Sequence, residues 1–360
     1  MIKVLVVDDS ALVRKLLGQV LAAEPDFEVR FARDGFEALE SLSTYQPDVI
    51  TLDIHMPQLD GLATLDRIMI ERPCPVVMVS TLTAEGAETT LEALRLGAID
   101  FVAKPGGAVS LRMDEFAPQV IAKVRSAAGA RLRSTHRLKD RIRHRIGSAG
   151  APAPSRRRQA TERQAVLEAA TGAGLVLVGT STGGPPALEA LLKPLPAHFP
   201  WPILVAQHMP ASFTGPLARR LDGICALTIV EVSRSMLLEP GTVYVGRGDA
   251  DLVVARRAGG LMALSATSAD YPWHPSTDRL VRTAMDSLPA SQLIGVLMTG
   301  MGDDGAAAMA KLRSEGGRTI AEAEETAVVW GMPGELVKAG GADYVLPVQK
   351  IAERLIELTP

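Results

Sequence analysis

The chain is 360 residues long, 47% hydrophobic and 22% charged, with a formal net charge of −3 at pH 7. That length exceeds one typical hydrophobic core and predicts two domains, while the near-neutral charge excludes a dedicated nucleic-acid coat. Only Cys74 and Cys225 occur, with no Cys-x-x-Cys pair, which excludes a disulfide framework and a cysteine-rich zinc site. The apolar run after Met1 is too short for a signal peptide and no stretch reaches membrane-spanning length, so a cytoplasmic protein is expected.

Val4–Val7 reads as a buried strand, and Ser10–Ala23 carries Val13, Leu16, Leu17, Val20 and Leu21 at helical spacing. The alternation continues through strands near Phe27–Phe31, Asp48–Leu52, Val76–Val79 and Ile99–Val102, with helices starting near Gly35, Gly61, Ala84 and Asp114. The pattern predicts an α/β domain with a doubly wound parallel sheet, whose ligands gather beyond the carboxyl ends of the strands. That edge receives Asp8 and Asp9 after the first strand, Asp53 after the third, Ser80 after the fourth and Lys104 after the fifth. Three carboxylates at one edge repel each other unless they share a cation, and oxygen-only ligands suit Mg²⁺. One of them can then attack a phosphoryl donor while the metal and the lysine offset charge on the transferred oxygens, and Asp53 is the central candidate. Any one aspartate alone also fits a turn or a helix cap; the joint placement carries the reading.

Asp8-Asp9-Ser10, Leu52-Asp53-Ile-His-Met-Pro57, Asp60-Gly61, Ser80 and Lys104-Pro105 resemble a response-regulator receiver domain of flavodoxin-like fold over residues 1–125. The resemblance implies phosphorylation on Asp53 by a histidine kinase, Mg²⁺ held by Asp8, Asp9 and Asp53, and phosphate sensing by Ser80 and Lys104. Phe101 falls at that family's aromatic switch position. His55 stands where related sequences often carry an acidic residue.

Residues 126–172 read as a linker, arginine-rich and broken by Gly147-Ser-Ala-Gly-Ala-Pro-Ala-Pro154. Leu138, Ile142 and Ile146 recur every four residues among basic neighbours, a basic amphipathic helix pattern open to an acidic partner, a membrane surface or nucleic acid. A solvated spacer is the plainer reading.

From residue 173 to 360 a second α/β domain with a mainly parallel doubly wound sheet is expected. Leu175-Val-Leu-Val-Gly-Thr-Ser-Thr-Gly-Gly184 runs a buried strand into a glycine-bracketed serine, with a helix after Pro186. That pattern fits either a nucleophile at a strand-to-helix turn or a phosphate cradle. Further strands read near Ile203–Gln207, Val243–Gly246, Leu252–Ala255, Gln292–Thr299 and Ala342–Leu346, with a local hairpin between 243 and 265. Helices follow Ala211, Ser276, Asp304, Gly331 and Gln349. If Ser181 is a nucleophile it needs a base, and His208, directly after a strand, ranks ahead of His274 in its proline-flanked loop. The carboxylate to orient that base comes from Met298-Thr-Gly-Met-Gly-Asp-Asp-Gly305, where spacing leaves Asp303 and Asp304 both open.

Gly179-Thr-Ser-Thr-Gly183 satisfies G-x-S-x-G, yet the order Ser, His, Asp is not that of the α/β-hydrolases. Together with Gln207-His208-Met-Pro210, His274-Pro-Ser-Thr-Asp278 and Thr299–Gly305, the stretch resembles the catalytic domain of chemotaxis protein-glutamate methylesterase/glutaminases. The resemblance implies a triad of Ser181, His208 and Asp304, oxyanion donors near Thr182 and Met301, and no cofactor for the hydrolase site. It also implies hydrolysis of glutamyl methyl esters, with methanol released, and deamidation of glutamines on the cytoplasmic domain of chemoreceptors, so that membranes are met only through receptors. Thr180 replaces the more usual alanine. A receiver ahead of a hydrolase implies gating by phosphorylation. Two other readings are a phosphate- or nucleotide-binding output domain, which lacks G-K-[ST], and a DNA-binding regulator, which lacks a helix-turn-helix pattern; no DNA partner is expected.

Overall fold

The computed structural model describes residues 1–81, 83–104, 113–130, 174–267 and 270–359. The chain divides into two units, Met1–Leu132 and Arg133–Pro360. In the first, β1 (Ile2–Val7), β2 (Phe27–Ala32), β3 (Val49–Asp53), β4 (Val76–Ser80) and β5 (Asp100–Ala103) pair in parallel in the order β2-β1-β3-β4-β5. Val4, Leu5, Val6, Ile50, Val76 and Val77 are wholly buried, as a sheet covered on both faces requires. The helices Ala11–Ala22, Gly35–Thr44, Gly61–Glu71 and Ala84–Leu96 begin where Ser10, Asp34, Asp60 and Thr83 accept a backbone N–H from the first turn. Each such cap contributes about 1 kcal/mol.

The strand order reverses at β1, so the crevice beside it opens between the ends of β1 and β3. Asp8 follows β1 and Asp53 is the last residue of β3, one position further into the strand than the sequence pattern predicts. The helix Met113–Ala128 carries regular structure past residue 125. Most of the expected linker, with the Leu138, Ile142 and Ile146 pattern, lies outside the described residues.

The second unit holds a seven-stranded sheet in the order β15-β14-β13-β6-β7-β10-β8. Its strands are β6 (Leu175–Thr180), β7 (Ile203–Gln207), β8 (Thr228–Val232), β10 (Thr242–Gly246), β13 (Leu293–Leu297), β14 (Arg318–Glu322) and β15 (Tyr344–Leu346). Every pairing in it is parallel. A three-stranded antiparallel sheet, β11-β12-β9, is made of β9 (Met236–Leu237), β11 (Asp251–Arg257) and β12 (Gly260–Ala266). Helices Gly184–Leu192, Ala211–Ile224, Thr277–Ser287, Ala306–Ser314, Met332–Lys338 and Val348–Leu358 connect the strands. Phe199, Phe213 and Tyr244 are the largest fully buried side chains in this unit. Tyr244 is satisfied there, its hydroxyl donating to the Leu237 carbonyl at 2.7 Å and accepting the Glu239 N–H at 2.9 Å.

Two differences from the sequence expectation have physical causes. The hairpin is β11 with β12, turning at Gly260 with φ of 124°, whereas β10 leaves it to lie between β7 and β8. Strands β8 and β14 escape the hydrophobic pattern because Glu231 interrupts one and Arg318 and Glu322 bound the other. Glu322 is wholly buried because its carboxylate accepts the Thr299 N–H and the Thr326 hydroxyl, both at 2.9 Å. No helix among the described residues is long and apolar enough to cross a membrane.

Candidate functional site

The first unit gathers Asp8, Asp9 and Asp53 so that one oxygen of each lies within 4.8 Å of the others. Lys104 Nζ sits 3.0 Å from Asp8 Oδ2 and 2.8 Å from Asp53 Oδ2. Asp8 Oδ2 is buried and accepts no aligned hydrogen bond, while Oδ1 accepts the Ser10 N–H at 2.9 Å. Burial pushes the Asp8 carboxyl up and Lys104 pulls it back, but the nearby Asp53 charge adds to burial and the net shift is upward. Burial alone would depress the Lys104 ammonium; the hydrogen bond and charge of Asp53 and the adjacent Asp8 carboxylate outweigh it and raise it. A buried oxygen without an aligned donor beside two further carboxylates fits a hard divalent cation such as Mg²⁺.

Ser80 and Phe101 point elsewhere. The Ser80 hydroxyl accepts from Thr90 Oγ1 at 2.8 Å and lies 3.3 Å from the carbonyls of Gly86 and Thr81. Phe101 is buried with Lys123 Nζ 5.0 Å from its ring centroid, and His55 is exposed.

In the second unit the switch point falls at β6, flanked by β7 on one side and β13 on the other. Ser181, His208 and the 298–305 loop are therefore the continuations of three neighbouring strands. Thr180 pairs with Gln207 in register, and the His208 N–H donates to the Thr180 carbonyl at 3.1 Å, so Ser181 and His208 leave adjacent strands about 4.8 Å apart. His208 Nε2 meets Asp304 Oδ2 at 2.7 Å. An ionised carboxylate only accepts, so in the neutral imidazole Nε2 carries the proton and Nδ1 the lone pair. The Ser181 hydroxyl itself makes no hydrogen bond among the described residues.

Asp304 is held at the start of helix Thr277–Ser287. Its Oδ1 accepts the Ser276 hydroxyl and the Asp278 N–H, each at 3.0 Å, and its Oδ2 accepts the Thr277 N–H at 2.6 Å besides His208. Burial pushes this carboxyl up, but the hydrogen bond and charge of His208 and the amides of Asp278 and Thr277 outweigh it and hold it below 3.8. Asp303 is exposed, and of the two aspartates that spacing leaves open it is Asp304 that is buried and meets His208. His274 belongs to another carboxylate, its Nδ1 lying 2.9 Å from Asp251 Oδ1.

Thr299 ties the two glycine-rich loops together. Its carbonyl accepts the Ser181 N–H at 2.9 Å and the Thr180 hydroxyl at 3.1 Å, and its own hydroxyl donates to the Thr182 carbonyl at 2.8 Å. Thr180 thus makes a bond that an alanine lacks. A Cβ on Gly300 would lie 2.8 Å from Ser181 Cβ, so only glycine lets this loop pass beside the serine. Thr182 is buried, and Met301, half-buried before Gly302 at φ of 77°, makes no backbone hydrogen bond through its N–H among the described residues. The Gly184 N–H is spent on the Ser181 carbonyl at 2.8 Å, which with the Ser181 N–H removes two donors a phosphate cradle needs. Sequence reasoning missed Ser276, Thr299 and Glu322. Ser276 was legible as a helix cap, but nothing in its spacing marks its second task at Asp304.

Residues 176–355 match the CheB methylesterase family and residues 4–113 match the response regulator receiver domain. A protein-glutamate methylesterase/protein-glutamine glutaminase of Rhodopseudomonas palustris is 58% identical over 99% of this chain and 98% of its own length. One from Rhodospirillum rubrum is 51% identical over 99% of this chain and 95% of its own. The Thermotoga maritima CheB methylesterase catalytic domain superposes with a TM-score of 0.50 at 41% identity, covering 52% of this chain and 99% of that one.

Proposed function

We propose, from the premise that this chain belongs to the protein-glutamate methylesterase/protein-glutamine glutaminase family of chemotaxis hydrolases, that it acts by acyl transfer through Ser181 under control of its receiver domain. The observation that carries the mechanism is the 2.7 Å contact of His208 Nε2 with a buried Asp304, one strand away from Ser181. His208 Nδ1 takes the proton of Ser181 as its oxygen attacks a glutamyl methyl ester, and the imidazolium so formed is stabilised by Asp304. The proton then passes to the departing methoxide, methanol leaves, and water hydrolyses the acyl-enzyme with His208 again as base. A glutamine side chain follows the same course with ammonia as the leaving group. Thr182 and Met301 amides are the donors for the tetrahedral oxyanion. No cofactor enters this sequence. The substrate is the cytoplasmic domain of methyl-accepting chemoreceptors, and the protein works in the cytoplasm.

In the receiver, Asp53 accepts the phosphoryl group from a histidine kinase. Asp8, Asp9 and Asp53 would hold Mg²⁺, which supplies positive charge against the phosphoryl oxygens. Lys104, already within 2.8 Å of Asp53 Oδ2, gives a second positive charge, and Ser80 and Phe101 report the phosphorylated state. Phosphorylation raises hydrolase activity by shifting a two-state equilibrium. Residues 1–125 and 173–360 are the two functional domains, joined by 126–172. A fluorophosphonate probe followed by peptide mass spectrometry tests the nucleophile: one adduct is expected on the Ser181 peptide, slowed in His208→Ala, and an adduct elsewhere contradicts the assignment.

A further inference from the structure

Trp273 has no part in the acyl-transfer scheme, yet its indole stacks on the imidazole of His208, with centroids 5.6 Å apart and ring planes 13° apart. Trp273 is 42% exposed and keeps one part of its indole open to solvent while another lies on the imidazole. Its loop is fastened on both sides. Asp251, 1% exposed, accepts the Ser276 N–H at 2.8 Å, meets His274 Nδ1 at 2.9 Å and receives Arg279 Nη1 at 2.7 Å. The Arg279 guanidinium in turn lies 6.0 Å from the Tyr271 ring centroid. Residues on either side of Trp273 thus lead back to one buried carboxylate.

Among the described residues the His208 ring makes one hydrogen bond, from Nε2 to Asp304, which fixes one corner of the ring and leaves its tilt free. A near-parallel aromatic face fixes that tilt and so the direction of Nδ1. The same face attracts the positive charge that appears when Nδ1 takes a proton. We infer that Trp273 is a positioning residue for His208, held in place by the Asp251 anchor; this rests on the acyl-transfer reading.

The test uses full-length protein with phosphodonor and a methylated receptor fragment, following methanol release by wild type, Trp273→Ala, Trp273→Phe and His208→Ala. Trp273→Ala is expected to lower kcat about three- to tenfold with KM within about twofold, and Trp273→Phe, which keeps an aromatic face, to recover about half or more of the wild-type kcat. A Trp273→Ala kcat within about 1.5-fold of wild type, a loss confined to KM, or a Trp273→Phe enzyme as slow as Trp273→Ala overturns the inference. His208→Ala at wild-type speed would overturn the acyl-transfer reading as well. A slow His208→Ala beside an unimpaired Trp273→Ala overturns the positioning role alone.

Discussion

Replacing Asp304 by asparagine keeps the shape of the side chain and removes one acceptor oxygen from a group that receives four donors. If the amide oxygen takes the Oδ1 side, its NH₂ faces the Thr277 N–H and His208 Nε2. The imidazole then answers by moving its proton to Nδ1, the nitrogen that must be free to act as base. If the oxygen takes the other side, the NH₂ faces the Asp278 N–H, and only the Ser276 hydroxyl can turn to accommodate it. Either way one buried amide loses its acceptor, which costs roughly 1–3 kcal/mol, and in the first orientation the wrong tautomer also costs about 10⁴ in kcat. The stability loss should lower the melting temperature of the unit by roughly 2–4 °C per kcal/mol.

The pH dependence has a definite sign. The native Asp304 carboxyl lies below 3.8, so its contribution is complete above that value and lost as pH falls through the lowered native pKa. The stability gap between wild type and Asp304→Asn should therefore narrow on acidification below about pH 4. Methanol release and thermal melts between about pH 2 and 7 follow the two effects. Activity within about tenfold of wild type together with an unchanged melting temperature, or a gap that widens in acid, would refute the reasoning.

Gly300→Ala should force a shift of the loop away from Ser181, costing about 1–3 kcal/mol in melts and most of the methanol release. Thr180→Ala removes one buried hydrogen bond to the Thr299 carbonyl and should cost about 0.5–1.5 kcal/mol, with turnover changed only a few-fold. Asp53→Asn should abolish incorporation of phosphate from a small phosphodonor and its stimulation of the hydrolase. Removal of divalent cations with EDTA should do the same to the wild type, both read by phosphoprotein gel and methanol assay.

The strand ends were legible because each functional side chain directly follows an apolar run, and a parallel sheet delivers all such positions to one edge. Asp8, Asp53, Ser181 and His208 were placed at those strand ends that way. The choice between Asp303 and Asp304 was not, since adjacent residues after a glycine loop share every local signal and differ only in which meets the amides of Thr277 and Asp278. Strand β14 was missed because Glu322 looks like surface until its buried partners Thr299 and Thr326 are in place. The stack of Trp273 on His208 joins residues far apart in sequence, and no spacing rule signals it.

The central claim is that Ser181 is the attacking group of a hydrolase switched by Asp53. Methanol release from a methylated receptor fragment, measured with and without phosphodonor for wild type and Ser181→Ala, tests it directly. The account predicts release by wild type that rises with phosphodonor and stays at background for Ser181→Ala in both conditions. Near-normal release by Ser181→Ala would contradict it.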